Sequence, residues 1–170
     1  VHIVSLANEC KELLMVVAHG KQKLKVVCVN GNQLFAYCPD EDVAPVSYSD
    51  SEADAIVGSY LFEPNASIMK AGCFQALAAK YGVSGVGRNS HLFVSTEDVA
   101  EFPGRRFIVE AMTTMNKKEL KRTLANITKA NITTRNFPLS VAELRKRLKL
   151  KDGGDVYLFA TTLADDSHVI

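Results

Sequence analysis

The sequence predicts an α+β fold, in which an antiparallel β segment precedes helices layered on a mixed or antiparallel sheet. Short apolar and β-branched runs, separated by polar or Gly-containing breaks, fill residues 1–38. After residue 63, helix and strand patterns follow in the order α-β-β-α-β-α-β-β. With 170 residues, 47% of them hydrophobic, the chain can bury one compact core or two small ones.

The N-terminal part is predicted to be an antiparallel meander followed by a linker. Its four strands are expected at residues 1–6, 11–19, 24–30 and 33–38. Asn30-Gly31 favours a tight hairpin between the last two strands, because both residue types tolerate positive φ. Residues 40–54 are acidic and rich in Ser, which is typical of a linker. The chain opens in an apolar run at Val1 with no turn or cap before it, so we expect a part of a longer protein.

Helix signals begin in the middle of the chain. A single helix is predicted over residues 64–81, because Pro is favoured in a first turn and Gly82 follows where a C-cap is expected. Asn116, with an acid three residues on, predicts a short helix to about residue 125, and Ser140 opens a full capping box. The strands that complete the order are predicted at residues 91–95, 106–112, 130–137, 156–163 and 168–170.

Positive charge is concentrated near the C-terminus. Residues 105–151 hold 13 of the 20 Lys and Arg but only three acids, which gives a local charge of +10. The rest of the chain must therefore carry −9, since the net charge is +1. A basic surface segregated in this way is typical of proteins that bind a polyanion, so nucleic acid is the first candidate partner.

The apolar spacing of the two C-terminal helices places most of these cations on solvent-facing arcs. Both acids on these helices are used as caps, whereas a merely solvated helix usually mixes signs to gain ion pairs. Basic residues also offset the negative C-terminal end of a helix, so a purely structural role stays open. The candidate RNA-binding residues are Lys117, Lys118, Lys121, Arg122, Arg135, Arg145, Lys146, Arg147, Lys149 and Lys151. Phe137, Tyr157 and Phe159 are candidates for a platform on which the bases of single-stranded RNA stack, but we expect them in the core, which favours recognition of RNA backbone and shape.

No catalytic residue, metal site or cofactor site is predicted. The four His lie in no metal or triad motif, and the four Cys lack zinc spacing, so they are expected to be buried free thiols. Residues 85–88, Gly-Val-Gly-Arg, begin like a phosphate-binding loop but lack the further Gly and the helix that such a loop needs. Apolar runs are too short to span a bilayer and no signal peptide precedes them, so we expect a cytoplasmic protein without membrane contact.

Four motifs carry a family resemblance. YLFEPNA (residues 60–66), FPGR (102–105) and ANITTRNFPLS (130–140) running on to LRKRLKLKDGGD (144–155) resemble the C-terminal THUMP-like domain of bacterial class I S-adenosylmethionine-dependent methyltransferases. NECKEL (8–13) resembles the small ferredoxin-like domain that precedes it. The resemblance implies a ferredoxin-like β segment with an acidic linker at residues 1–57 and a THUMP-like α+β domain at residues 58–170.

The same resemblance implies that catalysis and substrate recognition belong to different domains of a longer protein. A Rossmann-type domain upstream would bind S-adenosylmethionine and catalyse methyl transfer, and this chain would recognise the RNA substrate, a transfer or ribosomal RNA. The chain alone is therefore expected to be non-catalytic and to contain no cofactor, with RNA and its own upstream methyltransferase domain as partners. The alternative is a protein-interaction or scaffolding module that docks its basic face on an acidic protein surface. The acidic residues 40–54 are a candidate for that surface.

Overall fold

The α+β class is confirmed by the computed structural model, which describes residues 1–20 and 22–170, without the side chains of Ala53 and Asp54. The strands of this described part are β1 His2–Leu6, β2 Glu9–Leu14, β3 Val26–Asn30, β4 Gln33–Tyr37, β5 Tyr60–Pro64, β6 Ser84–Gly85, β7 Phe93–Ser95, β8 Gly104–Ile108, β9 Asn131–Arg135, β10 Tyr157–Thr162 and β11 His168–Val169. The helices are α1 Ala53–Ile56, α2 Ala66–Ala71, α3 Phe74–Tyr81, α4 Lys117–Thr123 and α5 Val141–Leu148.

The N-terminal sheet has the strand order β2-β1-β3-β4. Two antiparallel hairpins, β1–β2 and β3–β4, are joined side by side through a parallel pairing of β1 with β3. This pairing differs from the predicted meander, in which all neighbours would be antiparallel. The connection between β2 and β3 spans residues 15–25, long enough to carry the chain across β1 to its other side. The hairpin predicted at Asn30-Gly31 is present, with Gly31 at φ +56°.

The helix predicted over residues 64–81 is wrong, because the structure contains two helices there. Pro64 ends β5, and Asn65 caps α2 by accepting hydrogen bonds from the N–H groups of Ser67 (3.1 Å) and Ile68 (3.3 Å). Gly72 ends α2 in the left-handed region at φ +67°, a conformation that a continuing helix cannot contain. Gly82 ends α3 in the same way, as predicted.

The remaining strands form two further sheets. One has the order β6-β7-β5-β8 and is antiparallel at every pairing. The other has the order β11-β10-β9, with β9 and β10 parallel and β10 and β11 antiparallel. The first of the two sheets was predicted only in part, since the sequence predicted no strand at β5 or β6. The third sheet follows the predicted strands closely.

The largest apolar cluster joins the N-terminal sheet to the middle of the chain. Ile3, Cys28 and Phe35 pack in one cluster with Phe62 and Leu77. One core therefore crosses residue 57, where the resemblance places a domain boundary, and that boundary stays a prediction. All four Cys are free, but Cys10 is exposed and Cys38 is only half-buried, against the expectation of buried thiols.

Two negative findings concern membranes and metals. Within the described residues, no helix has the length and hydrophobicity needed to cross a bilayer. In the same part of the chain, no three His, Cys, Asp or Glu side chains are grouped as metal ligands would be.

Candidate nucleic-acid interface

The start of α4 fixes which of its side chains face solvent. Asn116 caps the helix, as predicted, by accepting hydrogen bonds from the N–H groups of Lys118 (2.9 Å) and Glu119 (3.4 Å). Glu119 does not return a bond to Asn116; its carboxylate accepts from the Thr114 hydroxyl at 2.5 Å. Leu120 is buried, so the four cations of the helix lie on its exposed side.

The predicted capping box at the start of α5 is confirmed. The Ser140 hydroxyl accepts from the N–H of Glu143 (3.3 Å), and the Glu143 carboxylate accepts from the N–H of Ser140 (2.8 Å). Hydrogen bonds from the Ser140 hydroxyl and N–H lower the pKa of Glu143. Leu144 is fully buried, which turns Lys146 and Arg147 to solvent.

The C-terminal ends of the two helices converge. Leu124, which ends α4, and Leu148, the last residue of α5, pack on the same small core of Ala130, Leu150 and Leu158. The C-terminal ends of both helices are therefore anchored on the same core.

A backbone bridge closes the junction between the helix ends. Lys151 donates its N–H to the carbonyl of Thr128 (3.0 Å), and its own carbonyl accepts from Ala130 (3.0 Å). The bridge sets Lys129 opposite Lys151. Lys129 lies in a loop with no helical periodicity, so sequence reasoning did not select it, although it belongs to the basic segment.

Nine exposed cations lie on α4, on α5 and in the loops that follow these helices, and we refer to them as the cationic face. Among the described residues, none of the nine forms an ion pair. Eight of them were selected from the sequence, and Lys129 is the addition. The cationic face consists of Lys117, Lys118, Lys121, Arg122, Lys129, Lys146, Arg147, Lys149 and Lys151.

Two predicted RNA-binding residues lie outside the cationic face. Arg135 is half-buried and donates to Glu63 at 2.9 Å. Arg145 is half-buried too, and it donates to the carboxylate of Asp152 (2.6 Å) and to the carbonyl of Ala130 (3.2 Å). Both guanidinium groups are thus engaged within the protein, and their positive charges are balanced by internal carboxylates.

Glu63 is the buried centre of a three-residue ionic cluster. Its carboxylate accepts from Arg135 and also from Arg105, at 2.8 Å from Nε and 2.5 Å from Nη2. The Glu63 side chain is only 4% exposed. Arg105 in turn lies over the rings of Phe107 and Tyr157, 5.5 and 5.4 Å from their centroids. Sequence reasoning missed this cluster, although a Glu inside the apolar run of β5 was a visible signal.

The loop that begins like a phosphate-binding motif has a packing role instead. It follows β6 and leads to no helix, so the backbone cradle of a nucleotide site is not formed. Gly87 lies against β10, where a Cβ atom would be 2.1 Å from the carbonyl oxygen of Thr162. Nearby, His91 stacks on Phe74 at 4.1 Å between ring centroids, and burial together with the charge of Arg135 lowers the pKa of His91.

The three aromatic residues considered for base stacking pack on other rings of the protein. Phe159 packs on Phe107, and Phe137 packs edge-on against His168. Tyr157 is 40% exposed, so the expectation that it belongs to the core is only partly met. None of the three belongs to the small core that supports the cationic face.

Lys149 offers a test of how α5 ends. Its φ of +56° places it in the left-handed region, where a side chain costs free energy and Gly does not. Lys149→Gly is therefore expected to raise the free energy of unfolding by about 0.5–1 kcal/mol. The control is Lys146→Gly, inside the same helix, which is expected to lower it by about 1 kcal/mol. Urea denaturation of both variants measures the two effects, and a shared sign would contradict the assigned helix end.

Comparison with known proteins agrees with this architecture. Residues 60–103 match a family described as a ferredoxin-like domain, and residues 104–170 match a family described as THUMP domain-like. The ferredoxin-like match thus lies later in the chain than residues 1–57, where the resemblance placed it. No curated protein sequence matches the chain.

A crystal structure of a "putative methyltransferase from Porphyromonas gingivalis W83" is similar in fold and sequence. The similarity has a TM-score of 0.87 at 32% identity, and it covers 99% of this chain and 43% of the other. The present chain therefore spans less than half the length of that protein. Its own fold is α+β, with a ferredoxin-like domain followed by a THUMP-like domain.

Proposed function

We propose that this chain is the substrate-recognition region of an S-adenosylmethionine-dependent methyltransferase and that its cationic face binds RNA. The observation that carries the proposal is the set of nine exposed cations, which are unpaired within the described part of the chain. Like charges on neighbouring segments repel each other, and a phosphate backbone relieves that repulsion while releasing counterions. The match to the THUMP domain-like family supports RNA as the polyanion.

The cationic face favours contacts with the RNA backbone rather than with bases. Its members are Lys and Arg on two short helices and in the loops that follow them, and no aromatic side chain belongs to the set. Lys and Arg that meet phosphates fix the position of a nucleic acid without reading its sequence. The proposed ligand is therefore a structured RNA recognised by shape, such as a transfer or ribosomal RNA in the cytoplasm.

Methyl transfer itself is assigned to another domain. More than half of the matched Porphyromonas gingivalis protein lies outside its match to this chain. In the proposed protein, that remaining part would bind S-adenosylmethionine and perform the chemistry. Its docking site would be the exposed apolar run that starts in edge strand β2, since large exposed apolar patches mark interaction surfaces. The run comprises Leu13, Leu14, Met15, Val16 and Val17, which are 47–93% exposed.

The first test is the salt dependence of RNA affinity. If four to six cations meet phosphates, the logarithm of the association constant is expected to fall with the logarithm of salt concentration at a slope of about −3 to −5. Fluorescence anisotropy with a labelled RNA hairpin at several salt concentrations measures this slope. Affinity that is absent, or unaffected by salt, would refute RNA binding by this chain.

The second test reverses charge on the cationic face. Lys146→Glu with Arg147→Glu is expected to weaken RNA binding about tenfold or more at 0.1 M salt and to make the salt slope shallower. The melting temperature should change little, because both side chains are exposed. The matched control, Lys23→Glu with Lys25→Glu, changes the net charge equally on exposed residues elsewhere. Equal weakening by both pairs would show that only net charge matters.

The scaffolding alternative predicts a different set of contacts for the basic surface. If the basic surface bound an acidic surface of the same chain, its residues would form ion pairs with carboxylates of residues 40–54. Of the described acids in that segment, none forms an ion pair with the cationic face. An unchanged RNA affinity in the Lys146→Glu, Arg147→Glu variant would count against RNA as the ligand of the cationic face and would favour docking on a separate acidic protein.

A further inference from the structure

Tyr157, the first residue of β10, is an aromatic side chain that is held by its neighbours and still open to solvent. The centroid of its ring lies 4.8 Å from that of Phe107, with an angle of 47° between the two planes. The guanidinium carbon of Arg105 lies over the Tyr157 ring, 5.4 Å from its centroid. Tyr157 is nevertheless 40% exposed. Because these contacts already restrict the ring, a flat ligand that stacks on it costs little conformational entropy.

The strand register places Tyr157 close to the cationic face. Tyr157 pairs with Asn131 in the parallel strand β9, so the two side chains lie on the same face of the sheet. Asn131 donates to the carbonyl of Gly154 at 2.8 Å, and a Cβ atom on Gly154 would lie 3.0 Å from Cγ of Lys129. Lys129 is two positions before Asn131, so its Cα atom is within about 10 Å of that of Tyr157. A phosphate bound at Lys129 therefore leaves its nucleoside within reach of the exposed ring.

The charged side chains around Tyr157 sum to a positive charge. Two arginines share one carboxylate as their counter-ion, which leaves +1. Two lysines of the cationic face add +2, and two exposed acids subtract 2, so the sum is +1. A positive surface around an exposed ring suits a flat group that is attached to a phosphate. The set comprises Arg105, Arg135, Lys129 and Lys151 as cations, with Glu63, Glu110 and Asp155 as acids.

We propose that Tyr157 stacks on one unpaired base of the RNA whose backbone lies on the cationic face. This inference rests on the proposed function and narrows its ligand to a structured RNA with an unpaired nucleotide beside a duplex. Bases inside a duplex already stack on each other, so only an unpaired base is free to meet the ring. The contact selects no particular base, because every base has a π-face.

Two RNA hairpins that differ in one base test the proposal on the whole chain. One hairpin has a bulged adenosine in its stem, and the other has an abasic nucleotide at the same position, so both carry the same number of phosphates. Fluorescence anisotropy is expected to show at least about fivefold tighter binding of the hairpin with the base. Equal affinities would overturn the stacking contact and leave backbone binding intact. Absent binding of both hairpins would refute the proposed function, and the stacking contact with it.

Substitutions of Tyr157 separate the ring from its other properties. Tyr157→Leu keeps an apolar side chain on Phe107 but removes the ring, so the preference for the base is expected to disappear. Tyr157→Phe keeps the ring and should keep the preference. Tyr48→Leu is the matched control, because Tyr48 is 44% exposed and lies in the acidic segment 40–54, and it should also keep the preference. A preference that survives Tyr157→Leu, or is lost in Tyr157→Phe, would overturn stacking on this ring.

Photo-crosslinking locates the unpaired base without any substitution in the protein. A 4-thiouridine replaces the bulged nucleotide, and mass spectrometry identifies the peptide joined to it after irradiation. The crosslink is expected at Tyr157 or at the adjoining residues 105–107, which contact its ring. Crosslinks confined to other parts of the chain would place the base elsewhere and contradict the proposal.

Discussion

Glu63→Gln is expected to lower the free energy of unfolding by about 3 kcal/mol, the largest effect of any single polar substitution proposed for this protein. Gln preserves the shape of the side chain but removes the charge that Arg105 and Arg135 share. Both arginines would then lie beside each other at the sheet junction without a counter-ion. Solvent stabilises the two unpaired guanidinium groups in part, since the Arg side chains are 45% and 30% exposed. The expected loss of stability is therefore at the lower end of the range for breaking a buried ion pair.

Urea denaturation at neutral pH measures this effect, and the surface pair of Asp98 and Arg106 provides the control. That pair has a similar distance of 2.8 Å, but its side chains are 41% and 47% exposed. Asp98→Asn is therefore expected to cost less than about 1 kcal/mol. A loss of similar size in both variants would mean that burial of Glu63 adds nothing to the strength of its ion pairs.

Gly87→Ala is expected to destabilise the protein by roughly 3 kcal/mol or more. A Cβ atom at this position would lie 2.1 Å from the carbonyl oxygen of Thr162 and 2.8 Å from the carbonyl carbon of Leu163. Both are backbone atoms, so no side-chain rotation relieves the contact. The added methyl group must push the loop away from β10 and disturb the apolar cluster that contains Val86 and Leu163.

Thermal and urea unfolding of Gly87→Ala are to be compared with those of Arg88→Ala. Arg88 is exposed and adjacent in sequence, so its truncation should change the free energy of unfolding by no more than about 0.5 kcal/mol. An Ala at position 87 that is tolerated as well as one at position 88 would show that the loop can move away from β10 at little cost.

Local signals in the sequence were sufficient to predict two helix starts and one hairpin turn. The capping box at Ser140, the Asn116 cap and the Asn30-Gly31 hairpin were all confirmed, because each depends on residues within three or four positions of one another. The single helix over residues 64–81 failed because the apolar spacing continues across Gly72. Helical periodicity alone does not show that one residue in the run takes a left-handed conformation.

Features that depend on distant residues were not predictable in this way. The parallel pairing of β1 with β3 depends on how the chain crosses between the two strands, and no local sequence pattern indicates it. The same limit affected the candidate site. Arg135 appeared to be a free cation because its partner Glu63 is 72 positions away, and Lys129 was missed because only the fold brings it beside Lys151.

The position of Glu63 also bears on how this protein can be divided. The two family matches meet between residues 103 and 104, yet β8 on one side pairs in its sheet with β5 on the other, and the arginines of the second match share a carboxylate from the first. A polypeptide that began at residue 104 would have an unpaired strand edge and two arginines without their counter-ion. The boundary between the families is thus a boundary in sequence only, and a division of the chain at residue 104 would break both the sheet and the ion pairs.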